Sequence, residues 1–226
     1  MADNKLIKDG IGDTFTLRMR DISAGGDGSI QRSMLFATPY PLDYGTGGIY
    51  QHCAKSGVIA AGLAANAPIY SFQWPATLLA LINRVRINAW TNVGFAAGVA
   101  TFDMFIARGF TVADGGGNEA NLVGGGGRLR TSMANSQAII MCATTAALTP
   151  GTRTLDPDAV DTRVAAAPTT GNTPLFPSAV TLFEKLQGEH PLFLAPDEGF
   201  VIRASVPGTG TWQFKVTTEW DEVVLF

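Results

Sequence analysis

The run Thr211-Trp212-Gln213-Phe214-Lys215-Val216-Thr217-Thr218-Glu219-Trp220 alternates without a slip. Trp212, Phe214, Val216, Thr218 and Trp220 share one side, and Thr211, Gln213, Lys215, Thr217 and Glu219 share the other. Period-two alternation marks a strand with one dry and one wet face. Just upstream, Phe200, Ile202, Ala204 and Val206 share a side while Arg203 and Ser205 point away. The turns Pro196-Asp197-Glu198-Gly199 and Pro207-Gly208-Thr209-Gly210 frame this second run. Two such runs joined by a Gly/Pro turn predict a β-hairpin. Each large apolar side chain on the dry face contributes about 1.5–3 kcal/mol when fully buried. A lone hairpin is marginal in water, so the rest of the chain must supply a facing sheet.

The 226 residues suffice for that. Charged residues are only 15%, against about 25% in an average soluble domain, and 26 residues are glycine. Sparse charge leaves little repulsion between copies, as suits a subunit that works assembled. Net charge is −3 and the basic residues are scattered, so no nucleic-acid partner is expected. The apolar run 93–106 is broken by Gly94, Gly98 and Asp103, so no membrane partner is expected either. Residues 1–5 lack a signal-peptide pattern, which points to synthesis in a cytoplasm. Cys53 and Cys142 are too few for a disulfide framework and are expected to be buried thiols.

Along the chain, residues 1–14 are polar and are expected to form an arm. Short alternating strands are predicted at 15–19, 30–38, 68–74, 83–90, 99–110 and 138–142, with a buried apolar strand at 56–66 and a helical turn or connector at 76–81. Glycine clusters mark loops at 115–117 and 124–127. Five prolines interrupt residues 149–177, which are expected to form a long extended loop, functional or lying on a neighbour. The fold class expected is all-β: a single β-sandwich over 15–226, of jelly-roll type, with the 1–14 arm and the 149–177 loop as its appendages.

Catalytic and metal-binding patterns are weak. Gly124-Gly125-Gly126-Gly127-Arg128 lacks the Lys-Ser/Thr of a P-loop and is not followed by a helix signal. His52 and Cys53 are neighbours on a strand and point to opposite faces, so they are not expected to chelate one ion. Asp156, Asp158 and Asp161 resemble a calcium loop only loosely, since Asp161 and Ala167 stand where an EF-hand needs Gly and Glu. Nothing in the sequence recommends a Cys53–His190 pair. Asp197, Glu198, Glu219, Asp221 and Glu222 read as a turn and a wet strand edge. No enzyme activity and no cofactor are therefore expected.

The aromatic residues point instead to contact surfaces. Tyr40 and Tyr44 lie in a Gly-rich loop with Tyr50, as interface anchors, sugar platforms or local packing over a sheet end. Trp90 shares a face with Arg84 and Arg86, opposite the expected core, and an outward Trp on a sheet favours an interface.

Two groups of segments carry a resemblance. Ala64-Ala65-Asn66-Ala67-Pro68-Ile69-Tyr70-Ser71-Phe72-Gln73-Trp74 is the first. Gly199-Phe200-Val201-Ile202-Arg203, Thr209-Gly210-Thr211-Trp212-Gln213-Phe214-Lys215-Val216 and Glu219-Trp220-Asp221-Glu222 form the second. They resemble segments of structural proteins of tailed-bacteriophage virions, especially small β-rich proteins of the head. The resemblance implies a jelly-roll-like cement or decoration protein, commonly a homotrimer, seated on the major capsid protein lattice of the virion. Tyr40, Tyr44, Trp90 and Phe226 are then the candidate interface anchors. The alternative is a receptor- or carbohydrate-binding module of a tail or fibre, using loop aromatics as its platform.

Overall fold

The computed structural model describes residues 4–8, 14–18, 48–63, 65–124, 126–129, 133–186 and 190–223, the first two segments as backbone only. The chain divides into two compact units, Met1–Tyr40 and Pro41–Phe226. In the first, β1 (Asn4–Lys8) pairs antiparallel with β2 (Thr14–Arg18), Asn4 opposite Arg18 and Lys8 opposite Thr14. Part of the expected arm is thus a strand, and the strand expected near 15–19 takes residues 4–8 as its partner. The strand expected at 30–38 lies outside the described residues.

The second unit is built of strands alone among the described residues. In chain order they begin with β3 (Gly48–Lys55), β4 (Ile59–Ala60), β5 (Ala67–Trp74), β6 (Leu79–Val93) and β7 (Val99–Arg108). Then come β8 (Gly117–Glu119), β9 (Ile139–Ala143), β10 (Thr154–Leu155) and β11 (Asp161–Ala166). The last are β12 (Val180–Glu184), β13 (Leu192–Leu194), β14 (Glu198–Ser205) and β15 (Thr211–Val223). One sheet runs β10-β7-β14-β5-β9-β8, with β11 on the same side of β7 as β10; the other runs β12-β6-β15-β3, with β13 also on β6 and β4 on β15. Every pairing is antiparallel.

The sheets pack face to face as a β-sandwich, and the alternation explains why. Phe72 of β5 meets Trp220 of β15 edge-on at 5.4 Å between ring centroids, and Phe102 of β7 meets Trp212 at 5.8 Å. Trp74, Trp212, Trp220, Tyr70, Phe200 and Phe214 are all fully buried. Aromatic pairs of this geometry add about 0.5–1.5 kcal/mol beyond the area they bury.

Here the hairpin expectation fails. β14 pairs with β5 and β7, whereas β15 pairs with β3, β4 and β6. The two runs face each other across the core instead of lying side by side. Two dry faces are satisfied equally by one sheet or by two, and the link 206–210 is long enough to cross the roughly 10 Å between layers.

Other local expectations shift for identifiable reasons. Only Ile59 and Ala60 of the 56–66 run are strand; Gly62 (φ 88°) and Asn66 (φ 59°) turn the chain in the left-handed region. Residues 76–78 bend and β6 begins at Leu79, with no helical turn. Asn83 was expected on the dry face, but pairing jumps from Glu219–Arg84 to Trp220–Ile82, leaving Asn83 as the extra residue of a bulge.

The 149–177 stretch is no structureless loop. It supplies β10 and β11 as the edge of one sheet and buries Leu175 and Phe176. Asp221 and Glu222, expected on a wet edge, are 7% and 2% exposed because β15 continues under the core to Val223.

Candidate interaction face

Trp90 is where sequence and structure agree on a candidate site. β6 turns Arg84, Arg86, Asn88, Trp90 and Asn92 to the outer face of its sheet, each partly exposed, while Val85, Ile87, Ala89 and Thr91 are buried. The register lays β15 beside it: Gln213 opposite Trp90, Lys215 opposite Asn88, Thr217 opposite Arg86 and Glu219 opposite Arg84. On the far side of β15, Lys55 stands opposite Lys215, Cys53 opposite Thr217 and Gln51 opposite Glu219.

Like charges directly opposite repel. Lys55 turns its ammonium away to a place 5.5 Å above the Trp90 ring centroid, where the negative face of the indole attracts it. Segment 170–175 braces the other side of the tryptophan: Trp90 bridges to Pro174, Leu175 N–H donates to Ala89 O at 2.8 Å, and Thr91 Oγ1 donates to Thr170 O at 2.9 Å.

Lower on the face, Arg84 Nη2 donates to Glu219 Oε1 at 2.6 Å, and Arg84 Nη1 lies 3.5 Å from Glu184 Oε1. Arg86 Nη2 lies 3.6 Å from the same Glu219 oxygen. The hydrogen bond to Glu219 raises the Arg84 pKa further. Arg84 and Arg86 share Glu184 and Glu219, and Lys55 and Lys215 add two further cations to the same face. Arg84 Nε, Arg86 Nε, Asn88 Oδ1 and Asn92 Oδ1 are buried without a hydrogen-bond partner among the described residues. Such atoms are costly to leave unmet. The result is a net-positive, amide-rich face centred on a braced tryptophan.

Lys55, Asn92 and Gln213 belong to this face but were not singled out by sequence, because only the register of β3, β15 and β6 brings them to Trp90. Tyr40, Tyr44 and Phe226 lie outside the described residues. Tyr50, grouped with the loop tyrosines, is a fully buried core residue stacked on Trp220 at 5.5 Å.

The groups weighed for chemistry are dispersed. His52 faces inward, opposite Thr218, with Nδ1 buried and unpartnered among the described residues; burial lowers its pKa. Cys53 faces outward and is exposed, contrary to the expectation of a buried thiol. Both line the rim of a cleft of about 280 Å³ with Cys142, Asn118 and Glu119. Burial pushes the Cys142 thiol up to about 12, which keeps it a thiol instead of a nucleophilic thiolate.

β6 and β15 separate Cys53 from β13, which follows His190, so those two are not brought together. Asp156 is held by Arg108 at 2.8 and 3.0 Å, and Asp161 by Arg163 at 2.6 Å. Among the described residues no three of His, Cys, Asp and Glu converge as a metal site would need. Comparison with protein families, with curated proteins and with solved structures finds no match to this chain.

Proposed function

We propose that this chain is a virion structural protein of the capsid cement or decoration kind, without catalytic activity, docking on an assembled lattice through the outer face of β6 and β15. The observation that carries the reading is the Trp90 face: braced, net-positive and partly exposed on the outside of its sheet. Its excess of cations, on a chain of net charge −3, suits an acidic patch on the lattice. A protein that binds the assembled shell but not free subunits stabilises the shell by mass action.

Strand order supports a jelly-roll body. The order β3-β15-β6-β12 in one sheet and β5-β14-β7-β11 in the other follows two interlocked Greek keys. Among these eight strands, every sequential link except β7 to β11 crosses between sheets, and β8, β9 and β10 are inserted in that one exception. Capsid and lectin domains both use this plan, so the fold alone does not choose between them.

The rival reading, a carbohydrate- or receptor-binding module, draws on Asn92 and Gln213 beside Trp90, joined at 3.3 Å. A sugar stacks on an open aromatic face, and here Lys55 stands over it. Capsid docking is therefore the better fit.

Co-sedimentation with intact heads tests the proposal. Wild type is expected in the pellet, and Trp90→Ala or Lys55→Glu/Lys215→Glu is expected to lose at least tenfold in affinity. Undiminished pelleting of both variants, or glycan binding abolished by Trp90→Ala without any pelleting of wild type, would overturn it. Light scattering checks the trimer, whose mass is threefold that of the 23.8 kDa chain.

A further inference from the structure

A second site lies on the other sheet. Residues 110–114 and 149–155 cross the outer face of β7 and β14, where Phe110, Ala107, Val201 and Leu155 form a small apolar cluster of their own. Asp114 and Arg153 make a buried ion pair beneath this layer, their side chains 0% and 5% exposed, and Gly151 N–H donates to Asp114 Oδ1 at 2.8 Å. The Arg153 guanidinium lies over the Phe110 ring, 5.2 Å from its centroid.

Beside it, Arg203 of β14 is held in place at two points. Nε donates to Asn66 O at 2.6 Å, and the guanidinium lies 5.4 Å from the Phe105 ring centroid. Arg203 makes no ion pair with a described residue; its cross-strand neighbour Asp103 does not come within bridging distance.

Arg153 and Arg203 both line one cavity of about 220 Å³, with Pro68, Pro150, Gly151 and Leu155. Two arginines therefore border one space, and Asp114 pairs with Arg153 alone. Each repels the other: Arg203 and, above all, burial lower the pKa of Arg153. An anion entering the cavity would relieve that repulsion and offer oxygen acceptors to planar N–H forks already fixed in orientation.

We infer that this cavity binds a small oxyanion, a carboxylate or a phosphate group, between Arg153 and Arg203. The pre-set guanidinium planes favour a planar or tetrahedral oxyanion over a halide. A volume of about 220 Å³ admits a phosphate or a carboxylate-bearing side chain.

The test is calorimetric titration of the full chain at low ionic strength with sodium phosphate, sodium acetate and sodium chloride. Saturable one-to-one binding of phosphate or acetate is expected, at least tenfold weaker in Arg203→Met and unchanged in Arg163→Met. Stronger acetate binding would identify the source as a carboxylate, such as an acidic side chain of a neighbouring subunit; stronger phosphate binding would identify a free phosphate or phosphoryl group. Should Arg203→Met fold poorly, amide resonances of the wild type serve instead, with Gly151 and Arg203 expected to shift most during the titration. Equal affinity for chloride, equal affinity in Arg203→Met, or shifts confined to other residues would overturn the assignment. Loss of this site leaves the Trp90 face untouched, so the two readings fail separately.

Discussion

Tyr70 and Thr218 meet hydroxyl to hydroxyl at 2.8 Å in the middle of the sandwich, one from β5 and one from β15. Both are fully buried, and the alternation of β15 requires Thr218 to sit among Trp212, Phe214, Val216 and Trp220. Burial pushes the Tyr70 pKa far above the ordinary value of 10.0, so the phenol stays protonated. The hydrogen bond thus joins the two sheets inside an apolar layer.

Removing one hydroxyl leaves the other buried and unmet, at a cost of about 1–3 kcal/mol. Tyr70→Phe and Thr218→Val should each destabilise by that order in denaturant unfolding. The double variant should lose less than their sum, because no orphan hydroxyl remains. Strict additivity would show that the pair is not coupled.

Glu222 gives the fold a pH dependence of unusual sign for a carboxylate. Its Oε1 accepts from Ser136 Oγ at 2.6 Å and Trp220 Nε1 at 3.2 Å, yet burial dominates and raises its pKa above 4.5. A raised folded-state pKa means the native protein holds the proton more tightly than the unfolded chain does. The stabilisation is complete below about pH 4.5 and is lost as pH rises through the folded value. Asp221, also raised by burial, acts in the same direction. Glu222→Gln keeps an acceptor for Ser136 and Trp220 but has no proton to lose. Its Tm should fall less than that of wild type between pH 4.5 and 7; parallel profiles would remove Glu222 as the cause.

The sequence showed which side of a strand is dry, and less about what that side faces. Trp212 to Trp220 and Phe200 to Ala204 were legible as dry faces because burial of large apolar side chains dominates their pattern. That these two strands belong to different sheets was not legible, since the pattern is the same for either partner. Gln73 and Ser71 are buried on what looked like a wet side, as β5 is covered on both faces. The outward Trp90 was legible from its arginine neighbours. Lys55 over its ring was not, because that contact depends on register across three strands. Arg153, within the Pro-interrupted stretch 149–177, was not singled out, because only the fold sets it beside Asp114 and Arg203.

The β14–β15 link contains two glycines that sequence treats alike. Gly210 has φ 94°, and a Cβ there would lie 2.4 Å from Gly94 O and 2.7 Å from Val93 O. Gly208 has open space around it. Gly210→Ala combines a left-handed backbone with a backbone clash and should cost upwards of about 1–2 kcal/mol. Gly208→Ala should be within about 0.5 kcal/mol of wild type. Urea midpoints of the two variants decide the matter, and equal midpoints would mean the crossing is not as tight as described.

Asp114 provides the sharpest link between stability and the oxyanion cavity. Asp114→Ala leaves Arg153 charged with its side chain 5% exposed, and breaking a buried pair in this way typically costs about 3–5 kcal/mol. The same change leaves Arg153 and Arg203 beside the cavity without the carboxylate that pairs with Arg153. An oxyanion should then stabilise the variant more than it stabilises wild type. Thermal unfolding in phosphate against chloride at matched ionic strength should therefore show a larger increase in Tm for Asp114→Ala than for wild type. Asp114→Ala/Arg203→Met should lose most of that gain while keeping the lower baseline. If phosphate raises the three melting temperatures equally, Asp114 is only a structural partner of Arg153 and does not balance an anion site.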